Sequence, residues 1–332
     1  MPREHKPHRR MLIASIASVA ALLLAAMPAT VQAQDYPSQP ITFVVPFGPG
    51  ASNDTFTRTL ADLLTKSLGQ PVIVENREGA GGFTGSDFVS RSKPDGYTLL
   101  ESPTGIATMK PARNLDLDPT TDLTPIAMLA ASPQTLVVPS SLGVNTVAEF
   151  IAYAKANPDT TFYGNTGVGT PQQMYAEMLN DIAGTTIKPV VYPSLANALL
   201  DLSAGRLHMV ITTIASAAGQ IDSGDLKLLA YADDNYPPGS PEAPTFAEEG
   251  FDGMQEAQSW WGIYGPPNMP ADIVNFLNAK INEALVDEAF VELMARSGAV
   301  AMPVTPEEFR QLQIDTMTLA ADIAERTGVT TN

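Results

Sequence analysis

Apolar and polar positions follow two periods along this chain, and the change from one to the other marks its elements. ITFVVPF (41–47) is a β-branched and aromatic run closed by proline, and it reads as a strand. A bare loop, GPGASND, leads from it into a segment where Phe56, Leu60, Leu63, Leu64 and Leu68 recur at helical spacing. Gly69 stands in the usual C-cap place. PVIVENR (71–77) predicts a second strand, TGSDFVSRS (84–92) a helix and GYTLLES (96–102) a third strand. Alternation of this kind predicts a parallel sheet covered on both faces.

After a proline-rich link over 111–125 the pattern resumes. TLVVP (135–139), TFYGN (161–165), IKPVVYP (187–193), LHMVITT (207–213) and LKLLAYA (226–232) read as strands. TVAEFIAYAKANP, TPQQMYAEMLNDIAG and SLANALLDLSAG read as the helices between them. Residues 232–253, rich in Pro, Gly and acids, look like a boundary; SWWGIYGP (259–266) is a further strand, and helical stretches over about 271–297 and 306–327 close the chain. The expected fold is α/β, with two Rossmann-like lobes of parallel-dominated sheets and a ligand cleft between them. One lobe takes 34–133 and 255–332, the other 134–254.

Open α/β sheets bind ligands beyond the carboxyl ends of their strands. The loops there are PFGPGASND, NREGAGGFTG, SPTG, NTGVGTP, YPS and TTIAS, all polar or glycine-rich. Thr104 and Thr166 stand in two of them and join the candidate set. A glycine loop that opens a helix presents backbone N–H groups and a helix N-terminus, which together hold anions. The amides of Gly82, Phe83 and Thr84 are expected to face the same cleft as the Ser52/Asn53 loop, clamping a carboxylate without any arginine.

Residues 1–33 have the form of a secretory signal. Arg3, Lys6, Arg9 and Arg10 precede an apolar run too short to span a bilayer comfortably, and Val31 and Ala33 stand where a signal peptidase reads. Cleavage is expected near Ala33, with Arg9-Arg10 leaving twin-arginine export open. The whole chain of 332 residues carries a formal charge of −17; removal of the segment leaves 15 basic and 35 acidic residues, about −20. Such a chain lacks the cationic footprint that nucleic acid requires. No later apolar run is long enough to cross a membrane, and with no cysteine there is neither a disulfide nor a lipid-anchoring site.

The chemistry of an enzyme is hard to assemble here. Of the three histidines, His5 and His8 fall in the signal, and His208 sits near the start of a predicted strand, the wrong end for a cleft. A nucleophile would lack both a base and a thiol, and no metal-ligand pattern exists. The pairs Asp116/Asp118 and Glu248/Glu249 read as solvated charge. The glycines 79, 81, 82 and 85 miss the dinucleotide spacing, because Thr84 stands where its third glycine is needed. No cofactor and no metal is expected. Trp260 and Trp261 read as core residues.

With these loops in view the sequence resembles the Bug family, the substrate-binding receptors of tripartite tricarboxylate transporters. The resemblance is carried by YPSQPITFVVPFGPGASNDTFTR, LGQPVIVENREGAGGFTGSDFVSRSKPDGYTLL, NTGVGTPQQMYAEML, APTFAEEG and WWGIYGPPNMP, and runs from about Tyr36 to near the C-terminus. It implies a type II periplasmic-binding-protein fold, a small organic acid as ligand, transfer of that acid to the transporter's membrane subunits, and no chemistry performed. By motif it places Phe47, Gly50, Ala51, Ser52 and Asn53, with Gly82, Phe83 and Thr84, at one ligand carboxylate. Asp54 matches a helix-start aspartate and reads as a capping residue.

The departures bear on ligand choice. Ala51 and Ser52 replace glycines that the family often has; Thr170 and Gln173 stand for a serine and a histidine; Ser194 lies in a loop that usually holds lysine; and Thr212 stands where many members carry an aspartate. An aspartate there suits an amine, whereas threonine offers one neutral donor and acceptor. A dicarboxylate or an aromatic acid is therefore expected rather than an amino acid. The expectation is a monomeric periplasmic receptor with no stable membrane insertion. Two other uses stay open: a ligand sensor for a two-component system on the same fold, and a secreted enzyme acting on a carboxylate.

Overall fold

Fifteen consecutive residues, Pro125–Pro139, are buried along one 16-residue strand. A strand apolar on both faces must be covered on both, and this one is shared by the two halves of the fold. The computed structural model describes residues 36–113 and 115–330; the leader expected over 1–33 lies outside the described residues.

The first half opens with β1 (Ile41–Val45), α1 (Ser52–Leu68), β2 (Val72–Asn76), α2 (Phe83–Ser90), β3 (Thr98–Pro103), α3 (Gly105–Ala112) and the long strand β4 (Thr124–Pro139). Next come α4 (Val147–Ala156), β5 (Phe162–Asn165), α5 (Pro171–Ala183), β6 (Lys188–Val191), α6 (Leu195–Ser203), β7 (Val210–Thr213), α7 (Ile214–Asp222) and β8 (Leu226–Tyr231). The chain returns through β9 (Gln258–Gly265), α8 (Ala271–Leu285), α9 (Glu288–Arg296), β10 (Val300–Ala301) and α10 (Pro306–Thr327).

One sheet has the order β10-β4-β9-β3-β1-β2. β1 is parallel to β2 and β3, while β9 runs antiparallel to both β3 and β4. β4 pairs with β9 as far as Pro133↔Gln258; from Gln134↔Thr213 onward its partners are β7 and β8. Pro125 and Pro133 sit where the register shifts or the partner changes, the places where a strand tolerates a residue without an N–H. β5 and β6 are parallel, and the bridge Tyr163↔Met209 joins them to the β7 edge.

The fold is thus the two-lobe α/β architecture expected, with mixed sheets. The parallel pairs β2-β1-β3 and β5-β6 follow the strand–helix alternation; every antiparallel pair involves β4 or β9.

Three local features differ from the sequence pattern. The link over 111–125 hides the end of α3, whose last turn contains Pro111, and the start of β4. TTIAS is not only a loop, because α7 begins at Ile214. The stretch 271–297 is two helices, the second capped by Asp287, which accepts the Ala289 N–H. Gly69, by contrast, ends α1 in the left-handed conformation (φ 66°), as its position predicts.

α10 ties the halves together. Its start is a capping box of Thr305 and Glu308. Phe309, near its start, meets Trp260 edge-on at 5.5 Å in one core cluster. Further along, Ala320, Ile323 and Ala324 pack into a second cluster with Phe150 and Tyr175, and Arg326 pairs with Asp181 of α5. The Phe309 ring lies over Gly262 of β9, where any β-carbon would overlap it.

Candidate functional site

A cavity of about 660 Å³ opens where loops from both halves meet. Its wall comes from the ends of β1, β3, β5 and β7 and from the helices that follow them. This is the position that open α/β sheets reserve for ligands.

α1 begins with Ser52 and Asn53 on the cavity wall. Its N-cap, Ala51, has no side-chain acceptor for the first-turn amides. The loop before it is held from below: Asp54 accepts from the Gly50 N–H at 2.9 Å, from Asn76 Nδ2 at 2.8 Å and from Arg58 Nε at 2.9 Å. The Arg58 guanidinium leads the causes that hold the Asp54 carboxyl down at about 2. Asp54 is a buried brace and does not line the cavity.

Three further helices open on the same space without a side-chain cap. Thr104, before α3, accepts the Trp260 N–H at 2.6 Å and donates to the Trp260 carbonyl at 3.1 Å. Thr170, before α5, donates to the Gly167 carbonyl at 2.8 Å. Thr213, before α7, has its hydroxyl 3.0 Å from that of Ser216. Away from the cavity, Thr146, Asp287 and Thr305 do cap their helices. A missing cap costs about 1 kcal/mol, whereas an anion at a partly buried helix N-terminus gains up to about 2 kcal/mol. Four such termini favour a negatively charged occupant.

The lining is otherwise short of charge. Arg113, just after α3, is the one charged residue among the described cavity-lining residues. Its Nε donates to the Val168 carbonyl at 2.7 Å. Beneath Asn53 lies Glu101 of β3, fully buried and receiving Asn53 Nδ2 on both oxygens, at 2.8 and 3.0 Å. Burial pushes the Glu101 carboxyl up to about 8, against the opposing effect of those hydrogen bonds. Gln134, where β4 changes partners, donates to Ser259 Oγ at 2.5 Å; its buried Oε1 has no partner among the described residues and asks for a donor.

Of the sequence-predicted residues, Phe47, Ser52, Asn53, Thr104, Thr166, Thr170 and Thr212 come together on the cavity wall. Gly50, Ala51, Gly82, Phe83, Thr84, Gln173 and Ser194 lie off it. Gly50 and Ala51 form the loop behind Ser52, and Gly82 packs on Phe47 and Pro46. Phe83 is a core residue, so Ala80 and Gly81 carry the glycine loop to the cavity instead. Thr84 faces a separate surface depression with Arg77 and Asp87. Gln173 turns back to accept the Gly169 N–H at 2.9 Å, and Ser194 caps α6 while its neighbours Pro193 and Leu195 reach the wall.

The pattern missed Arg113, Met109, Gln134, Ser259 and Trp261, which the sequence places outside the glycine loops. Trp260 is core as expected, with Nε1 donating to Thr316 at 3.2 Å; Trp261 instead lines the cavity, edge-on to Phe56 at 5.3 Å. His208 lies off the cavity, accepts the Phe162 N–H and stacks on Tyr153. Among the described residues no cluster of His, Asp or Glu could hold a metal ion, and no helix is long and apolar enough to cross a membrane.

Two lobes around a cavity with uncapped helix starts define a solute-binding receptor. The chain belongs to the tripartite tricarboxylate transporter family receptors, whose family pattern it matches over residues 56–329. It is 34% identical over 310 residues to Protein BugT of Bordetella pertussis, covering 92% of this chain and 94% of that one. A solved Rhodopseudomonas palustris structure with adipate shares 29% identity at a TM-score of 0.77, over 89% of this chain and 99% of that one. MatC from the same organism, with bound malate, shares 27% at 0.74, over 87% and 99%. The family is one of solute-binding receptors, not enzymes.

Proposed function

We propose that this chain is an exported receptor that binds a small organic acid in the β4-centred cavity and hands it to the membrane subunits of a tripartite transporter. The observation that carries the reading is electrostatic. Four helix N-termini without side-chain caps and one arginine face a wall with no acidic residue among the described lining. That wall repels nothing anionic and offers a cationic ligand no charged partner among the described lining. The malate and adipate held by two structural relatives support the same class.

In this reading Ser52, Asn53, Thr104, Thr166, Thr170 and Thr212 touch the ligand, with Phe47 beside it, and the remaining loop residues hold those seven in place. Thr212, buried and neutral, favours a dicarboxylate or an aromatic acid over an amino acid. The lobes divide at Pro133/Gln134, where β4 exchanges β9 for β7, and again near residue 254. Export to the periplasm with cleavage near Ala33, and a monomeric state, complete the proposal.

Thermal unfolding of the purified chain against aliphatic dicarboxylates, aromatic acids and acidic amino acids tests it. Binding to the native state adds about 2.7 kcal/mol at a hundredfold excess over Kd, which raises the midpoint. A shift with dicarboxylates or aromatic acids is expected. A larger shift with amino acids overturns the reading of Thr212. No shift with any acid, in protein refolded to remove carried ligand, overturns the carboxylate reading.

A further inference from the structure

Arg113 is unusual for this chain. Arg58, Arg206 and Arg326 are each paired with aspartates, as an acidic chain of net charge −17 makes easy. Arg113 has no carboxylate partner among the described residues, yet it is half-buried on the cavity wall. Among the described residues its side chain makes one hydrogen bond, Nε to Val168 O, and that goes to a neutral carbonyl. That bond fixes the plane of the guanidinium and leaves the edge made by Nη1 and Nη2 for another acceptor. Both of those nitrogens lie beside glycines: a β-carbon at Gly81 would come 3.9 Å from Nη1, and one at Gly167 would come 3.4 Å from Nη2. At Gly81 the Met109 methyl would lie nearer still, at 3.0 Å, so Met109 and Arg113 share the space beside that loop.

We infer that Arg113 is the specificity-determining cation of the cavity, and that the ligand is a dianion. One carboxylate pairs with the Nη1–Nη2 edge, while the other is held by helix-start amides at Ser52 and Asn53. This rests on the carboxylate reading above and narrows it to dicarboxylates. A monoanion can satisfy the amides or the arginine, not both. A charge-assisted fork to a desolvated carboxylate discriminates by about tenfold to a hundredfold, at least as much as one helix terminus typically supplies. The link from Arg113 to Val168 also joins α3 of the first half to the loop that opens α5 of the second.

The test is calorimetric titration of the purified chain with adipate and with its monomethyl ester, repeated on Arg113→Gln and Arg113→Lys. In the unsubstituted chain adipate should bind about tenfold to a hundredfold more tightly than the ester. Arg113→Gln should remove that preference by weakening adipate while leaving the ester within about threefold; Arg113→Lys, which keeps the charge without the fork, should retain part of it. If Arg113→Gln does not fold, the lysine variant alone decides, because an unchanged adipate-to-ester ratio in it overturns the fork. Equal binding of diacid and ester by the unsubstituted chain, or equal weakening of both by Arg113→Gln, overturns the inference and leaves the carboxylate reading intact. Binding of neither ligand, with no response to any other carboxylate, overturns the carboxylate reading itself.

Discussion

Asn53, on the cavity wall, is anchored to Glu101, a carboxyl with no exposure to solvent. The pairing sets the orientation of a wall residue from below, through a group that does not itself line the cavity. Burial of Glu101, against the opposing effect of that pairing, moves its titration toward the neutral range. The unfolded chain releases the Glu101 proton near the ordinary value of 4.5, whereas the folded chain keeps it until about 8. Between those values the folded state binds more protons, so stability falls as pH rises and levels off above about 8.

Glu101→Gln should therefore flatten the decline in unfolding midpoint between about pH 5 and pH 8. Glutamine keeps an acceptor for Asn53 and has no charge to bury. The gain over the unsubstituted chain should grow with pH, at about 2–4 °C for each kcal/mol recovered in a chain of this size. Midpoints measured for both chains across the range check it; parallel curves would show that Glu101 does not titrate there.

Trp260 and Trp261 should report different things. Trp261 lines the cavity, while Trp260 is fully buried beside Phe309. Trp261→Phe should abolish a ligand-dependent change in tryptophan fluorescence and leave the unfolding midpoint nearly unchanged. Trp260→Phe should keep the fluorescence response but cost about 1–3 kcal/mol, since it shortens a buried aromatic and removes the hydrogen bond to Thr316. Fluorescence titration and denaturant unfolding of both variants separate the roles.

Gly169→Ala should damage both stability and binding. Gly169 has φ +75°, and a β-carbon there would lie 2.7 Å from Ala112 Cβ and 3.1 Å from Met109 Cα. The strain costs about 1–3 kcal/mol. Relief requires the loop to back away from α3, taking Thr170 and the Val168 carbonyl with it. Lower midpoint and weaker carboxylate binding together are expected; unchanged affinity would mean that the 166–170 loop is not part of the grip.

Much of the fold follows from local pattern. Gly69 after Leu68, the alternation from Ile41 to Ser102 and the caps at Thr146 and Thr305 all have local physical causes that the chain carries on its face. β4 was legible only in its second half, because Pro125 and Pro133 look like breaks until their partners show where the register shifts. The cavity was legible as loops but not as side chains. Thr104 and Thr170 sit in loops the chain announces, whereas Arg113 reaches Val168 across 55 positions in sequence through the packing of α3. A charge sought only within the glycine loops is missed for that reason. Gln173 shows the converse: standing for the histidine of the family motif it is a candidate ligand contact, but its carbonyl is taken by the Gly169 N–H.

The four uncapped helix starts have a consequence for how such a receptor changes over generations. A side chain can be lost by a single base change; a peptide N–H is lost only when proline arrives, as Pro171 illustrates at the first position of α5. On the proposed reading, a grip on acids built from main-chain amides is therefore buffered against mutation, while Arg113, Gln134, Thr212 and Trp261 around it are free to vary. Drift at those few positions can retarget the cavity from one acid to another without passing through a form that has stopped holding acids at all.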